Sequence, residues 1–162
     1  MTFKLLSKAA LALAAMGLCL SAASAAYKSE YKLSVVPGAS SGWGQTATFF
    51  ADCVRQKSNG RINIKPYFGA QLMAGKQTSE LLLVRRGAID FALASTINWS
   101  PQIKELNLTA LPFFVANNPD RYKAIDAIEV GKSGKMLEKA IEKTGVKFLS
   151  WSENGFRELT TS

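Results

Sequence analysis

Ala88-Ile89-Asp90-Phe91-Ala92-Leu93-Ala94, entered from Arg86-Gly87, is the stretch that decides the fold. A strand with one wet face alternates polar and apolar residues. A run this continuously apolar fits a strand covered on both faces, and such strands belong to parallel sheets flanked by helices. Just upstream, a helical segment at about Gly75 to Arg86 ends at Gly87. Further back, Tyr31-Lys32-Leu33-Ser34-Val35-Val36 reads as a strand, broken by Pro37-Gly38 and a small polar loop that ends at Gly44. Ala47, Phe50, Ala51 and Val54 then fall at i, i+3, i+4 and i+7, which predicts a helix from Gln45 to Lys57, stopped by Ser58-Asn59-Gly60. Arg61 to Tyr67 alternates as a second strand.

Downstream, Leu106, Leu108 and Leu111-Pro112-Phe113-Phe114 predict irregular core interrupted by proline. Asn118-Pro119-Asp120 supplies an N-cap, a first-turn proline and an early acid for a helix through Ala124, Ile125, Ala127 and Ile128. A further helix from Ser133 to Lys143 should bury Met136, Leu137, Ala140 and Ile141, with Gly145 as its cap. Val146, Phe148, Leu149 and Trp151 predict a last strand. Strands alternating with helices imply right-handed parallel βαβ units, so the fold class is α/β.

Composition bounds the function. The 162-residue chain opens on Lys4 and Lys8 with no acid, then an apolar run from Ala9 to Leu20, then Ser21-Ala22-Ala23-Ser24-Ala25. That order is a secretory signal, with cleavage expected before Ala26, and its apolar core is too short to span a bilayer comfortably. Leu18 stands where a lipobox before Cys19 wants glycine or alanine. The mature chain is therefore expected outside the cytoplasm and not embedded in the membrane. Its net charge of +8 includes the two lysines lost with the signal, and the other basic residues are scattered, which gives no case for nucleic acid. The chain has no histidine, so imidazole-based catalysis is excluded and the commonest zinc ligand is missing. Cys53 loses its one possible intrachain partner with the signal and reads as a small buried hydrophobe. No cofactor, metal or catalytic residue is expected.

Gly42-Trp43-Gly44-Gln45-Thr46-Ala47 matches a dinucleotide fingerprint in spacing only: Trp43 is bulky where a pyrophosphate would approach, and no acid ends the second strand. What survives is general. Ser40, Ser41 and backbone N–H groups at a helix N-terminus can hold an anion, and a plain turn with Trp43 packed as core fits the same residues. Ser95-Thr96-Ile97-Asn98 follows the apolar strand directly, and ligands of open α/β sheets bind beyond the carboxyl ends of strands, which makes Ser95 a candidate by position. Arg157 is a candidate because a guanidinium fork is the natural clamp for a carboxylate.

Lys57-Ser58-Asn59-Gly60-Arg61-Ile62, Gly69-Ala70-Gln71-Leu72, Arg86-Gly87-Ala88-Ile89-Asp90-Phe91, Leu111-Pro112-Phe113 and Glu153-Asn154-Gly155-Phe156-Arg157 occur in this order across the chain. Together, behind a signal peptide, they resemble the periplasmic solute-binding proteins of tripartite ATP-independent (TRAP) transporters, the DctP-type family. The resemblance implies a two-lobed, type II periplasmic binding-protein fold, here as a first lobe with a parallel-rich sheet flanked by helices and a truncated second lobe. The expected boundaries are 1–25 for the signal, 26–152 for the first lobe and 153–162 for the crossover into the second.

The function implied is capture of an organic acid, such as a dicarboxylate, in the periplasm and its delivery to TRAP permease membrane subunits driven by an ion gradient. Arg157 matches an arginine that in the family helps bind the ligand carboxylate, the main carboxylate-clamping arginine being expected further along than Ser162, and Asn154 belongs to the same crossover segment. The resemblance implies that the loop Pro37 to Gly44, which holds Ser40, Ser41 and Trp43, lines the first-lobe side of the cleft, and Ser95 stands where sialic-acid-binding members have a glutamate, so a different acid is expected. Two rival readings are a binding protein serving an ATP-driven transporter or a sensor, and an exported enzyme built on Glu or Lys. As a first half standing alone, the chain is expected to bind acids weakly and to expose apolar surface.

Overall fold

The computed structural model describes residues 27–115 and 117–153. Three strands form one parallel sheet: β1 (Tyr31–Val35) lies in the centre, between β2 (Ile64–Tyr67) and β3 (Phe91–Leu93). Leu33 stands opposite Pro66 on one side and Phe91 on the other. Pro66 lacks an N–H, and β2 has a ladder neighbour on one side only among the described residues, the position where a sheet tolerates proline.

The period of two along β1 divides the core. Leu33 and Val35 face α1 (Gly42–Lys57) and pack with Ala47, Ala51 and Ile64. Ser34 points the other way, toward Leu81, Trp99, Ile103, Leu106, Leu137, Ala140 and Ile141. In β3, Phe91 and Leu93 join the first cluster while Ala92 and Ala94 pack on the second. Each face of β3 thus packs on a cluster, with its three residues half-buried, which is the physical reason for its apolar Phe91–Ala94 run. Full burial of Leu81, Leu106 and Leu137 stabilises the second cluster by about 1.5–3 kcal/mol per side chain.

β3 is shorter than the Ala88–Ala94 expectation. The amides of Ala88 and Ile89 both donate to Leu83 O, at 3.0 and 3.3 Å, and so belong to the turn leaving α2 (Glu80–Arg85). That helix follows a 3-10 turn at Gln77–Ser79, which splits the expected Gly75–Arg86 segment. α1 starts three residues before Gln45 because extended Ser41 caps it, its Oγ accepting from Gly44 N at 3.0 Å. Gly44 itself is required by close approach: a Cβ there would lie 2.4 Å from Ala39 O. α1 ends as predicted, with Asn59 and Gly60 at φ of 53° and 75°.

Beyond β3 come the single turn α3 (Thr96–Trp99) and a 3-10 segment, Lys104–Ala110, that buries Leu106. Leu111, Phe113 and Phe114 are exposed, correcting the expectation that they form core. α4 (Arg121–Val130) is capped by Asp120, whose carboxylate accepts from Lys123 N at 3.0 Å; Asn118 instead accepts from the amide of Asp120. α5 (Lys132–Glu142) buries Leu137, Ala140 and Ile141 as expected, but Met136 turns to solvent. The stretch Val146 to Trp151 has no ladder partner among the described residues and is not a strand, although Val146, Phe148 and Trp151 still pack on the second cluster. Cys53 is half-buried and unpaired, less enclosed than expected. Among the described residues no helix is long and apolar enough to cross a membrane.

Candidate functional site

Because all three strands are parallel, their carboxyl ends meet at one edge of the sheet. The chain leaves β1 for β2 on one side and later enters β3 on the other, so the connections diverge between β1 and β3. That divergence makes a topological switch point, and open α/β sheets bind ligands in the crevice at such a point. Val35 stands opposite Leu93, which sets the exits of β1 and β3 side by side. The loop after β1 carries Ser40 and Ser41 and leads into Trp43 in the first turn of α1, and Ser95 follows β3 and leads into Thr96 at the start of α3. The topology therefore brings four of the six residues singled out by sequence to one edge. Asn154 and Arg157 lie outside the described residues.

The serines differ in what their hydroxyls already do. Ser41 Oγ donates to Gly38 O at 2.6 Å and accepts from Gly44 N, so its capping role occupies it in both directions. Ser40 is exposed; its carbonyl accepts from Gln45 Nε2 at 3.4 Å while its hydroxyl has no partner among the described residues. Ser95 caps α3 through its backbone, with its carbonyl accepting from the amides of Asn98 and Trp99 at 3.1 and 3.3 Å. Its side chain makes no capping bond, which leaves a half-buried hydroxyl able to donate.

Trp43 lies with its ring against the Leu33–Val35 cluster, and its buried Nε1 meets no acceptor among the described residues. At the start of α1, Ser41 O accepts from Gln45 N and Ser41 Oγ from Gly44 N. The amides of Gly42 and Trp43 receive no protein acceptor among the described residues. Two N–H groups at the positive end of a 16-residue helix form an arrangement suited to a carboxylate.

Sequence reasoning missed the scaffold behind this edge. Glu80, the first residue of α2, is fully buried. Its Oε1 accepts from Ser34 Oγ at 2.6 Å and its Oε2 from Trp99 Nε1 at 3.1 Å. Burial pushes its carboxyl above the ordinary value, and the two donors oppose that only in part. Neighbouring bonds run the same way: Asn98 Nδ2 donates to Gln77 Oε1 at 2.8 Å, and Gln102 Nε2 to Thr78 O at 2.6 Å. Thr109 Oγ1 donates to Thr96 Oγ1 at 2.9 Å. An acid at the start of a helix is ordinary in sequence, so nothing in the pattern signalled a buried carboxyl. No group of three or more His, Cys, Asp or Glu that could hold a metal occurs among the described residues.

The chain is similar to known proteins. At 28% identity over 113 residues, the chain is similar to the 2,3-diketo-L-gulonate-binding periplasmic protein YiaO of Escherichia coli, covering 70% of this chain and 33% of that one. It is 26% identical over 149 residues to the C4-dicarboxylate-binding periplasmic protein DctP of Rhodobacter capsulatus, covering 91% of this chain and 43% of that one. The crystal structure of a TRAP periplasmic solute-binding protein from Ralstonia eutropha, with bound (S)-2-acetolactate, is 53% identical. It superposes with a TM-score of 0.70 over 75% of this chain and 37% of that one. The chain thus spans less than half the length of these relatives. Residues 33–162 match the profile of the bacterial extracellular solute-binding protein family 7, DctP, and with the parallel sheet and its switch-point edge in place, the chain belongs to that family.

Proposed function

We propose that this chain supplies the first-lobe wall of a periplasmic TRAP solute-binding site that captures a small organic acid by its carboxylate. The reading is supported by the parallel topology, which puts the Gly42 and Trp43 amides, without a protein acceptor among the described residues, after the exit of β1 and Ser95 after the neighbouring exit of β3. A carboxylate there accepts from the two amides and from Ser95, and the Trp43 ring covers the apolar part of the ligand. Arg157 and Asn154, on the crossover expected at 153–162, would meet the ligand from the opposite side, the guanidinium pairing with the carboxylate. Closure of the two walls buries the acid, and the ligand favours the closed state because only there does it meet both walls.

Residues 1–25 act as the export signal in this reading, and the loaded protein hands its acid to a permease driven by an ion gradient. No chemistry is performed on the ligand. The 53% identity to a protein crystallised with (S)-2-acetolactate makes short hydroxy- and oxo-acids the first class to test.

The test is isothermal titration of the gene's full-length product with (S)-2-acetolactate, succinate and pyruvate, in wild type and Arg157→Ala. Saturable binding of at least one acid, weakened by about tenfold or more when the guanidinium is removed, is expected. Unchanged affinity in Arg157→Ala would remove that residue from the site, and no binding of any acid would refute the function.

A further inference from the structure

Glu80 is the one ionisable side chain fully enclosed among the described residues, and the capture mechanism does not use it. A carboxyl in that position is costly, and a leucine of similar size would fill the space without the penalty of desolvation. What a leucine lacks is direction. Glu80 accepts from the central strand through Ser34 and from the α3 turn through the indole of Trp99, so it links two elements that pack from different parts of the chain.

The turn it reaches has little stability of its own. α3 is four residues long, too short to persist as an isolated helix. It is held instead from the 77–80 segment, by the Asn98–Gln77, Trp99–Glu80 and Gln102–Thr78 bonds. Trp99 N and Asn98 N in turn fix the carbonyl of Ser95. The path from Glu80 to the binding edge is therefore short and continuous.

We propose that Glu80 is a positioning residue for ligand binding: by accepting from Ser34 and Trp99 it orients the α3 turn and with it the Ser95–Thr96 corner of the crevice. The proposal rests on the carboxylate-binding reading above for its functional meaning. Glu80→Gln preserves both links, since the amide oxygen accepts from the indole and the amide nitrogen donates to Ser34 Oγ. Glu80→Leu preserves the volume and loses both. Trp99→Phe keeps an aromatic ring in the cluster but loses the indole donor together with one of the two fused rings.

The experiment has two arms. In the first, without ligand, amide hydrogen exchange of the whole chain is followed by NMR at Asn98, Trp99 and Ser100, with Ala51 and Val54 of α1 as the reference for global opening. Glu80→Leu and Trp99→Phe should speed exchange at the turn by about tenfold relative to α1, while Glu80→Gln stays within about threefold of wild type. Equal acceleration in α1 and the turn, or normal protection of the turn in Trp99→Phe, would overturn the proposal. Normal protection of the turn in Trp99→Phe overturns the proposal even where the leucine variant fails to fold.

The second arm titrates (S)-2-acetolactate into the full-length product. Trp99→Phe should weaken binding by about tenfold and Glu80→Gln by less than about threefold. Wild-type affinity in Trp99→Phe contradicts the positioning role. A wild type that binds no acid refutes the proposed function instead, and the exchange pattern then decides the role of Glu80 alone.

Discussion

Ser41→Ala and Ser95→Ala are expected to fail in opposite ways. Ser41 Oγ holds the N-cap bond to Gly44 N at 3.0 Å and a second bond to Gly38 O at 2.6 Å. Loss of an N-cap costs about 0.5–2 kcal/mol and loss of a further hydrogen bond about 0.5–1.5 kcal/mol, so destabilisation of about 2 kcal/mol is expected. With an m-value of about 1–3 kcal/mol/M in urea, the midpoint should fall by about 1 M. Ser95 makes no side-chain cap bond, so Ser95→Ala should change stability by less than about 0.5 kcal/mol. Its hydroxyl is available to a carboxylate, and a hydrogen bond to a charged group contributes about 1.5–3 kcal/mol. At about 1.4 kcal/mol per tenfold, Ser95→Ala should weaken acid binding by about ten- to a hundredfold, and Ser41→Ala by far less. Urea melts and isothermal titration with (S)-2-acetolactate measure the two quantities separately. A Ser41→Ala variant of wild-type stability and badly weakened affinity, or the reverse pattern for Ser95→Ala, would refute the assignment of the two hydroxyls.

Three further outcomes follow from the core. Burial raises the carboxyl of Glu80, so the folded state holds that proton more tightly than the unfolded chain; the resulting stability is complete below the ordinary carboxyl value and is lost as pH rises through the folded value. Urea melts from acid to neutral pH should show this decline in wild type and a smaller one in Glu80→Gln, and parallel profiles would count against it. Leu137→Ala empties a fully buried position and should cost about 2–5 kcal/mol, read as a lower midpoint at unchanged m-value. Gly44→Ala places a Cβ 2.4 Å from Ala39 O, so the loop over α1 must shift at a cost of about 1–3 kcal/mol, and a variant as stable as wild type would show that the loop gives way freely.

Several elements were legible in sequence because local rules set them. Ala47, Phe50, Ala51 and Val54 mark the inner face of α1, and Asn59-Gly60 ends it because those residues accept left-handed backbone. Leu137, Ala140 and Ile141 mark the buried stripe of α5 in the same way. Other features depend on partners far along the chain. Leu111, Phe113 and Phe114 are apolar yet exposed, while Glu80 is charged in type yet enclosed, since burial is decided by what packs opposite and not by the residue itself. Val146 to Trp151 has a strand's composition but no ladder neighbour among the described residues.

The same division runs through the candidate site. By itself the sequence determined the parallel α/β class, through an apolar run that needs cover on both faces, and it marked Ser40, Ser41, Trp43 and Ser95 as edge residues, because strand ends are read from local pattern. Only the tertiary structure decided which hydroxyl remains available. Ser41 is occupied by its own loop, donating to Gly38 O and accepting from Gly44 N three residues to either side, whereas Ser95 caps α3 through its carbonyl and its side chain makes no cap bond.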